Sequence, residues 1–153
     1  MTVEQELLLL VRPVVAALLA GVIGWERESA GKAAGLRTHM LVGLAAALFI
    51  VGGDVLVARY AAGEYDPDVL RLDPVRVIDA VATGVGFLGA GTIFVSGRGR
   101  VIRGLTTAAS VWATAAIGVI VGLERYVLAV GVTVLAYAVL HLLRRFDPDH
   151  PDY

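Results

Sequence analysis

The chain has 153 residues, of which 58% are hydrophobic and only 18% are charged, whereas soluble domains are roughly 45–50% apolar. Such a composition favours a single membrane domain over a soluble one, because a fold in water would leave too much apolar surface uncovered. The absence of cysteine excludes disulfides, thiolate nucleophiles and cysteine-ligated metals. The net charge of -1 offers no electrostatic footprint for nucleic acid.

Five apolar segments follow one another, each close to the 20 or so residues that a membrane span needs. We predict spans at 7–25, 36–58, 74–95, 104–123 and 126–143, joined by short linkers. The first segment is not a good signal peptide, because Glu4 and Glu6 make its flank acidic and Arg12 interrupts its apolar run. The predicted fold class is therefore all-α: a polytopic membrane bundle of five transmembrane helices over 1–145, followed by a short polar tail over 146–153.

Basic residues near the span ends predict the orientation of the bundle. The first linker, the third linker and the tail together hold eight Lys and Arg residues, against five on the opposite side. Because cytoplasmic loops are enriched in basic residues, we expect the N-terminus outside and the C-terminus in the cytoplasm. The expected location is the inner or plasma membrane, with the lipid bilayer as the first partner.

The stretch GVGFLGAG at 84–91 contains a Gly-x-Gly-x-x-Gly pattern, which binds dinucleotides where a strand turns into a helix. Here the glycines lie inside an apolar segment, and no acidic residue follows about 20 positions later. We therefore expect no nucleotide. Small residues instead let membrane helices approach closely, and we predict that the third and fourth spans cross through Gly86 and Gly118.

Small residues recur on three of the predicted spans. The first span carries Ala16, Ala20 and Gly24 at four-residue spacing, which indicates a smooth helix face. The residues expected to pack the third and fourth spans are Gly84, Gly86, Gly89, Gly91, Ser110, Thr114, Gly118 and Gly122.

Three ionisable side chains fall inside the predicted spans: Arg12, Asp54 and Asp79. Each costs about 2.5–3.5 kcal/mol at the bilayer centre, so such groups usually face the bundle interior. Asp73, followed by proline, predicts a helix cap, and Arg76 shares a helix face with Asp79. One interpretation is a structural ion-pair cluster in which Arg12 pairs with Asp79. The alternative is an entry site for a hard divalent cation such as magnesium, held by Asp54, Asp73 and Asp79.

A second polar group is expected at the cytoplasmic ends of the spans. It comprises Glu26, Arg27, Glu28, Arg37, Thr38, His39, Arg103, Thr106 and Thr107. Arg37 needs a partner at the membrane boundary, and Glu26 is the obvious candidate. Interfacial anchoring by positive-inside charges is one interpretation and a functional polar site is the other. His39 is expected to be a cap or an interfacial residue rather than a ligand.

Three strings carry a family resemblance: GWERESAGKAAGLRTHMLVGL at 24–44, DPVRVIDAVATGVGFLGAGTIF at 73–94 and IRGLTTAASVWATAAIGVIVG at 102–122. In this order they resemble the MgtC/SapB family of bacterial and archaeal inner-membrane proteins, and the resemblance extends from about 12 to 145. Family motifs match at 24–28, 34–39, 73–76, 84–91 and 103–109. Asp79 departs from the neutral Gln of many members, and Thr106 stands where some members carry Asn.

The resemblance implies a five-helix membrane protein linked to survival at low magnesium and, in pathogens, inside macrophages. It also implies a short form without the soluble C-terminal domain of longer members. We expect a regulatory protein tied to magnesium limitation or acid stress, which acts through a membrane-protein partner or as a homo-oligomer. The alternative is a magnesium transporter or channel that uses intramembrane carboxylates. No cofactor is expected, apart from the magnesium ion that this alternative would involve. An enzyme is not expected, because the glycine-flanked serine and aspartate motifs of intramembrane proteases are missing.

Overall fold

A computed structural model of the chain describes residues 2–66, 73–96 and 101–146. The middle of the predicted outer linker, part of the third linker and the predicted tail from 147 onwards lie outside the described residues. The helices are α1 (Val3–Leu9), α2 (Val11–Ser29), α3 (Leu36–Ala61), α4 (Pro74–Ala90), α5 (Leu105–Gly122) and α6 (Tyr126–Leu142). Strands β1 (Phe94–Ser96) and β2 (Val101–Arg103) precede α5, and a 3-10 turn (Leu143–Phe146) follows α6. The predicted helical bundle is confirmed.

The first predicted span is divided in two at Leu10, which ends α1 and precedes α2. Pro13 explains the break, because it has no N–H for the carbonyl of Leu9 and its ring crowds that carbonyl. The short α1 begins with a capping box, in which the Thr2 side chain accepts from the Gln5 amide and the Gln5 side chain accepts from the Thr2 amide. Together α1 and α2 still form one apolar segment, Val3–Ser29.

The centre of the bundle is the triangle of α2, α3 and α5, each of which contacts the other two. Ile23, Ala47, Ile117 and Val121 form its buried apolar core. The smooth face of the first span packs here: a methyl group added at Gly43 of α3 would lie 2.6 Å from the Ala20 side chain. Helix α6 packs on α2 and α5, and α4 packs on α5 and α3.

The predicted crossing of the third and fourth spans through Gly86 and Gly118 is wrong. Gly118 faces α3, where an added methyl group would collide with the Gly43 carbonyl, and Gly86 has no atom within 4 Å of that position. Helices α4 and α5 do touch, but through Gly89, which faces Ala108 at 3.5 Å. A four-residue spacing of small residues identifies a smooth face and does not say which neighbour it meets.

A β-hairpin replaces the end of the third predicted span. Strands β1 and β2 pair antiparallel, with Phe94 opposite Arg103. The helix stops at Ala90 because the chain turns to β-branched and aromatic residues, Thr92 to Val95, which favour a strand. Gly104 then joins β2 to α5 with φ +86°, and any side chain there would collide with the Thr92 carbonyl.

Three helical segments in the described part of the chain are long and apolar enough to cross a membrane: Val3–Ser29, Leu36–Ala61 and Leu105–Gly122. Tyr126–Leu142 is apolar but shorter. Length and composition therefore agree with the membrane class that the composition of the whole chain predicts.

Candidate functional site

Arg12 ties three helices together at the end of the bundle where α2 begins. Its Nη1 donates to Asp54 Oδ2 at 2.5 Å and to the Gly122 carbonyl at 3.1 Å, and its Nη2 pairs with Glu124. The Gly122 carbonyl belongs to the last turn of α5, where carbonyls lack intrahelical partners and the helix dipole favours a cation. We call Arg12, Asp54 and Glu124 the Arg12 cluster.

The predicted pairing of Arg12 with Asp79 is wrong, because Arg12 pairs with Asp54 and Glu124. Arg12 does form structural ion pairs, as one of the two interpretations predicts, but not with the predicted partner. The sequence did not predict the role of Glu124, which lies in the tight turn between α5 and α6 with a left-handed φ of 61°. The sequence does contain a signal for this role. Glu124 is an acidic residue directly after the fourth predicted span, at the end of the bundle where Arg12 lies.

Helix α4 exposes a polar face, which we call the α4 polar face: Asp73, Arg76, Asp79, Ala80, Thr83 and Gly84. These residues line an open groove of about 760 Å³. The predicted cap is confirmed, since Asp73 Oδ1 accepts from the Val75 amide at 3.0 Å and proline opens the helix. Arg76 Nε lies 3.8 Å from Asp73 Oδ2, and both side chains are exposed.

The three carboxylates predicted to bind magnesium have different surroundings. Over residues 2–66, 73–96 and 101–146, no group of three or more His, Asp or Glu side chains is placed to hold a metal ion. Asp54 pairs with Arg12, whereas Asp73 and Asp79 line the groove on α4. Magnesium binding by Asp54, Asp73 and Asp79 stays a prediction, with Asp54 already paired with Arg12.

The opposite end of the bundle buries a group of polar side chains, which we call the His39 cluster: Glu26, Arg27, His39, Thr107 and Ser110. Glu26 is 4%, Arg27 3% and His39 0% exposed. Interfacial anchoring is thus the wrong interpretation for these residues, although it suits the exposed Arg37. The reason is packing: α5 covers the ends of α2 and α3 that hydropathy alone places at the interface.

His39 connects α3 to α5 through both ring nitrogens. Nδ1 lies 2.8 Å from the Gly35 carbonyl, and Nε2 lies 3.1 Å from Ser110 Oγ. Because a carbonyl only accepts, Nδ1 carries the proton. The Ser110 hydroxyl also lies 2.8 Å from the Thr107 carbonyl. In neutral His39 the hydroxyl donates to Nε2; in the imidazolium form Nε2 donates to Ser110, and the hydroxyl donates to the Thr107 carbonyl.

Glu26 is a buried carboxylate beside this network. Its Oε2 lies 3.8 Å from Arg27 Nη1, which is an ion pair but longer than a hydrogen bond. Neither carboxylate oxygen has a hydrogen-bond partner within the part of the chain that the structure describes. The expected pairing of Glu26 with Arg37 is not observed among these residues. The His39 cluster therefore holds a carboxylate, a guanidinium and an imidazole out of water.

Glu28 caps α3 from across the preceding loop. Its Oε2 accepts from the Leu36 amide at 2.7 Å, whereas Gly35, the residue in the cap position, offers no side chain. A carboxylate at a helix N-terminus is stabilised by the free amides and by the helix dipole. Glu28, one of the family-motif residues, thus has a structural role.

We expect Glu28→Ala to destabilise the folded chain by about 1 kcal/mol, because the first amide of α3 loses its acceptor. The measurement is reversible unfolding in mixed detergent micelles. Ser29→Ala, at the exposed neighbouring position, is the control and should change little. Equal effects of the two substitutions would show that the cap contributes nothing.

The remaining predicted residues occupy separate environments. Thr38 and Arg103 are half-buried and Thr106 is exposed. Gly84 faces open space, Gly91 ends α4, and an added methyl group at Gly122 would lie 2.7 Å from Ile50. Ser110 and Thr114 are buried within α5, where the Thr114 hydroxyl donates to the Ser110 carbonyl. The small residues of α5 are therefore buried or in close contact with a neighbouring helix, whereas Gly84 of α4 is not.

Known proteins resemble this chain over most of its length. The MgtC family profile matches residues 14–148. YhiD of Escherichia coli (strain K12), whose full name reads "Putative magnesium transporter YhiD", is 44% identical over 137 residues, which cover 89% of this chain and 60% of that protein. Protein MgtC of Brucella abortus (strain 2308) is 41% identical over 129 residues, which cover 84% of this chain and 48% of that protein.

A third relative is protein SrpB of Synechococcus elongatus, 43% identical over 119 residues, which cover 72% of this chain and 61% of that protein. The chain thus spans about half to three fifths of the length of these relatives. No solved structure matches it. With its apolar helices and these relatives, the chain is a membrane protein that belongs to the MgtC family.

Proposed function

We propose that the chain is a regulatory protein of the inner membrane, linked to magnesium limitation or acid stress, which acts through contacts with other membrane proteins. In this proposal it crosses the membrane five times, with the N-terminus outside and the C-terminus in the cytoplasm. The observation that carries the proposal is the α4 polar face, which presents charged and small residues on the outside of the bundle.

The position of Asp79 on that face favours a protein neighbour over lipid. Asp79 lies six residues after the cap residue Asp73, which is about 9 Å along the helix axis at 1.5 Å per residue. In the proposed topology Asp73 marks the membrane boundary, and the Asp79 side chain is too short to reach back to it. A charge left in lipid costs about 2.5–3.5 kcal/mol, and a protein surface with a complementary group removes that cost.

The arrangement of the other carboxylates supports contacts rather than transport. Asp54 is tied to Arg12, and Asp73 caps its own helix. Both carboxylates thus already have partners within the chain, which leaves them less available to a passing cation. The Arg12 cluster instead fixes the helices relative to one another.

Magnesium transport is the second candidate. The printed name of the YhiD relative favours it. So does Asp79, which forms no ion pair with any described residue and lines a groove open to the outside of the bundle. In this alternative Asp79 would belong to the route of the cation, which prefers carboxylate oxygens and retained waters.

Magnesium flux into proteoliposomes separates the two candidates. We expect vesicles with the wild-type chain to take up no more magnesium than empty vesicles, because the regulatory role needs no flux. Asp79→Asn is the matched variant, and circular dichroism verifies that both proteins are folded. Uptake by the wild type that Asp79→Asn abolishes would replace the regulatory proposal with the transport one.

Growth tests the regulatory role directly. In a host that lacks this chain, the wild type should restore growth at limiting magnesium, and Gly84→Leu should fail to do so because it fills the α4 polar face. Val75→Ala, on the same helix but about 180° around it from Gly84, should restore growth. The variants must reach equal amounts in the membrane, and full rescue by Gly84→Leu would contradict the proposal.

A further inference from the structure

We propose that the α4 polar face is a self-association site, covered by α4 of a second copy of the chain in a symmetric, parallel pair. The inference rests on the proposed placement of α4 in the membrane and names the partner that this face contacts. A second copy is the partner that fits, because the face is complementary to itself in shape and in charge.

The shape of the face fits a close helix pair. Arg76, Ala80, Thr83 and Phe87 recur at spacings of four, three and four residues, the pattern of a seam between two parallel helices. Ala80, Thr83 and Gly84 are small, which lets two backbones approach. Phe87 follows one turn later, is 85% exposed and is large enough to fill the seam.

The charges on the face are also self-complementary. Arg76 and Asp79 lie three residues apart, so their axial offset is about 4.5 Å, within the reach of an arginine side chain. In a two-fold pair each contact occurs twice: Arg76 of one copy meets Asp79 of the partner subunit, and the reverse. Within one copy the described partner of Arg76 is the exposed Asp73 at 3.8 Å, and Asp79 has no ion pair among the described residues.

The orientation of α4 in the membrane and the composition of the other exposed helix faces both favour a second copy of the chain as the partner. Copies inserted the same way in a bilayer are related by an axis along its normal, so their α4 helices run parallel and bring the two charged ends together. The exposed face of α6 is apolar instead, with Val127, Leu128, Val134 and Leu135 all more than half exposed, which suits lipid. The exposed stripe of α4, by contrast, combines a cation, carboxylates and small residues.

Cysteine crosslinking tests the pair in native membranes. The chain has no cysteine, so Thr83→Cys adds a single thiol at the centre of the seam. A disulfide needs Cα atoms about 4.4–6.8 Å apart, and copper phenanthroline should therefore convert Thr83→Cys into a dimer. Leu88→Cys is the control on the same helix: five residues on, it points about 140° away and should remain monomeric.

Charge reversal tests the reciprocal ion pairs, with Thr83→Cys as the reporter. Arg76→Asp alone and Asp79→Arg alone each place like charges at both contacts, which costs several kcal/mol, so dimer yield should fall at least about tenfold. Differently tagged chains that carry one change each should crosslink to one another when expressed together. The double reversal in one chain should also restore the dimer.

The outcomes separate this inference from the proposed function. A Thr83→Cys chain that crosslinks to a different membrane protein and not to itself would overturn self-association and leave a regulatory contact at this face. Folded chain that crosslinks to nothing would overturn self-association, and the growth test would then decide the regulatory proposal separately. A dimer that persists through the single charge reversals would overturn the reciprocal Arg76–Asp79 pairing.

Discussion

Gly118→Leu is expected to prevent the chain from assembling, whereas Gly86→Leu is expected to leave it as stable as the wild type. Gly118 lies where α5 crosses α3, and even one added carbon would collide with the Gly43 carbonyl and lie 2.9 Å from the Ala46 side chain. Side-chain overpacking costs about 1–3 kcal/mol. Here the obstacle is backbone, which cannot move aside without separating the two helices, so the loss should exceed that range.

Gly86 is the matched control, because it is a glycine in a helix of the same bundle with nothing within 4 Å of an added carbon. Leucine there should be neutral or slightly stabilising, since glycine is the poorer helix former by about 1 kcal/mol. Thermal unfolding in detergent and gel filtration would measure both variants, with Gly118→Ala as the milder change. Equal stability of Gly118→Leu and Gly86→Leu would contradict the α3–α5 packing.

The helices were predictable because their signals are local. Apolar segments of membrane length gave four of the described helices to within a few residues: α3, α4, α5 and α6. The start of α4 was predicted to the residue, since Asp73 followed by proline is a cap signature and Asp73 does accept from the Val75 amide. The break at Leu10 had a local signal too, in Pro13, which hydropathy ignores.

The sequence could not predict which helices contact one another, because the hydropathy pattern carries no information on which helices are adjacent. Gly118 belongs to a smooth face of α5, and its spacing is equally compatible with packing on α3 or on α4. The structure chooses α3, where the Gly43 backbone approaches it. For the same reason the predicted partner of Arg12 was Asp79 rather than Asp54 and Glu124. An ion pair between helices can be predicted only when it is known which helix ends lie together.

The His39 cluster shows how tertiary packing overrides an interfacial pattern. Glu26, Arg27 and His39 stand at span ends, where basic and acidic residues normally meet headgroups. They are buried because α5 covers them, and His39 reaches Ser110 across 71 residues of chain. The hairpin that precedes α5 likewise escaped prediction, because an apolar run does not by itself distinguish a short strand from the end of a helix. The β-branched and aromatic residues at 92–95 were therefore counted as part of the third span.

Arg12→Gln is expected to destabilise the fold by about 2 kcal/mol or more, since a hydrogen bond to a charged group contributes about 1.5–3 kcal/mol. The substitution removes the donor to Asp54 and to the Gly122 carbonyl and the cation beside Glu124. The Arg12 side chain is only 16% exposed, whereas Asp54 and Glu124 are 52% and 56% exposed. The carboxylates can therefore regain water, which keeps the loss below that of a fully buried pair.

Reversible unfolding in mixed micelles measures this loss, with Arg59→Gln as the control for removal of an arginine. Arg59 pairs with Glu64 at 2.6 Å, but both side chains are exposed, and such pairs contribute no more than about 1 kcal/mol. A double-mutant cycle then identifies the partner: Arg12→Gln should be non-additive with Asp54→Asn by at least about 0.5 kcal/mol and additive with Asp79→Asn. Coupling to Asp79 instead would mean that α4 closes against α2 in the micelle, and the α4 polar face would then be an internal surface rather than an external one.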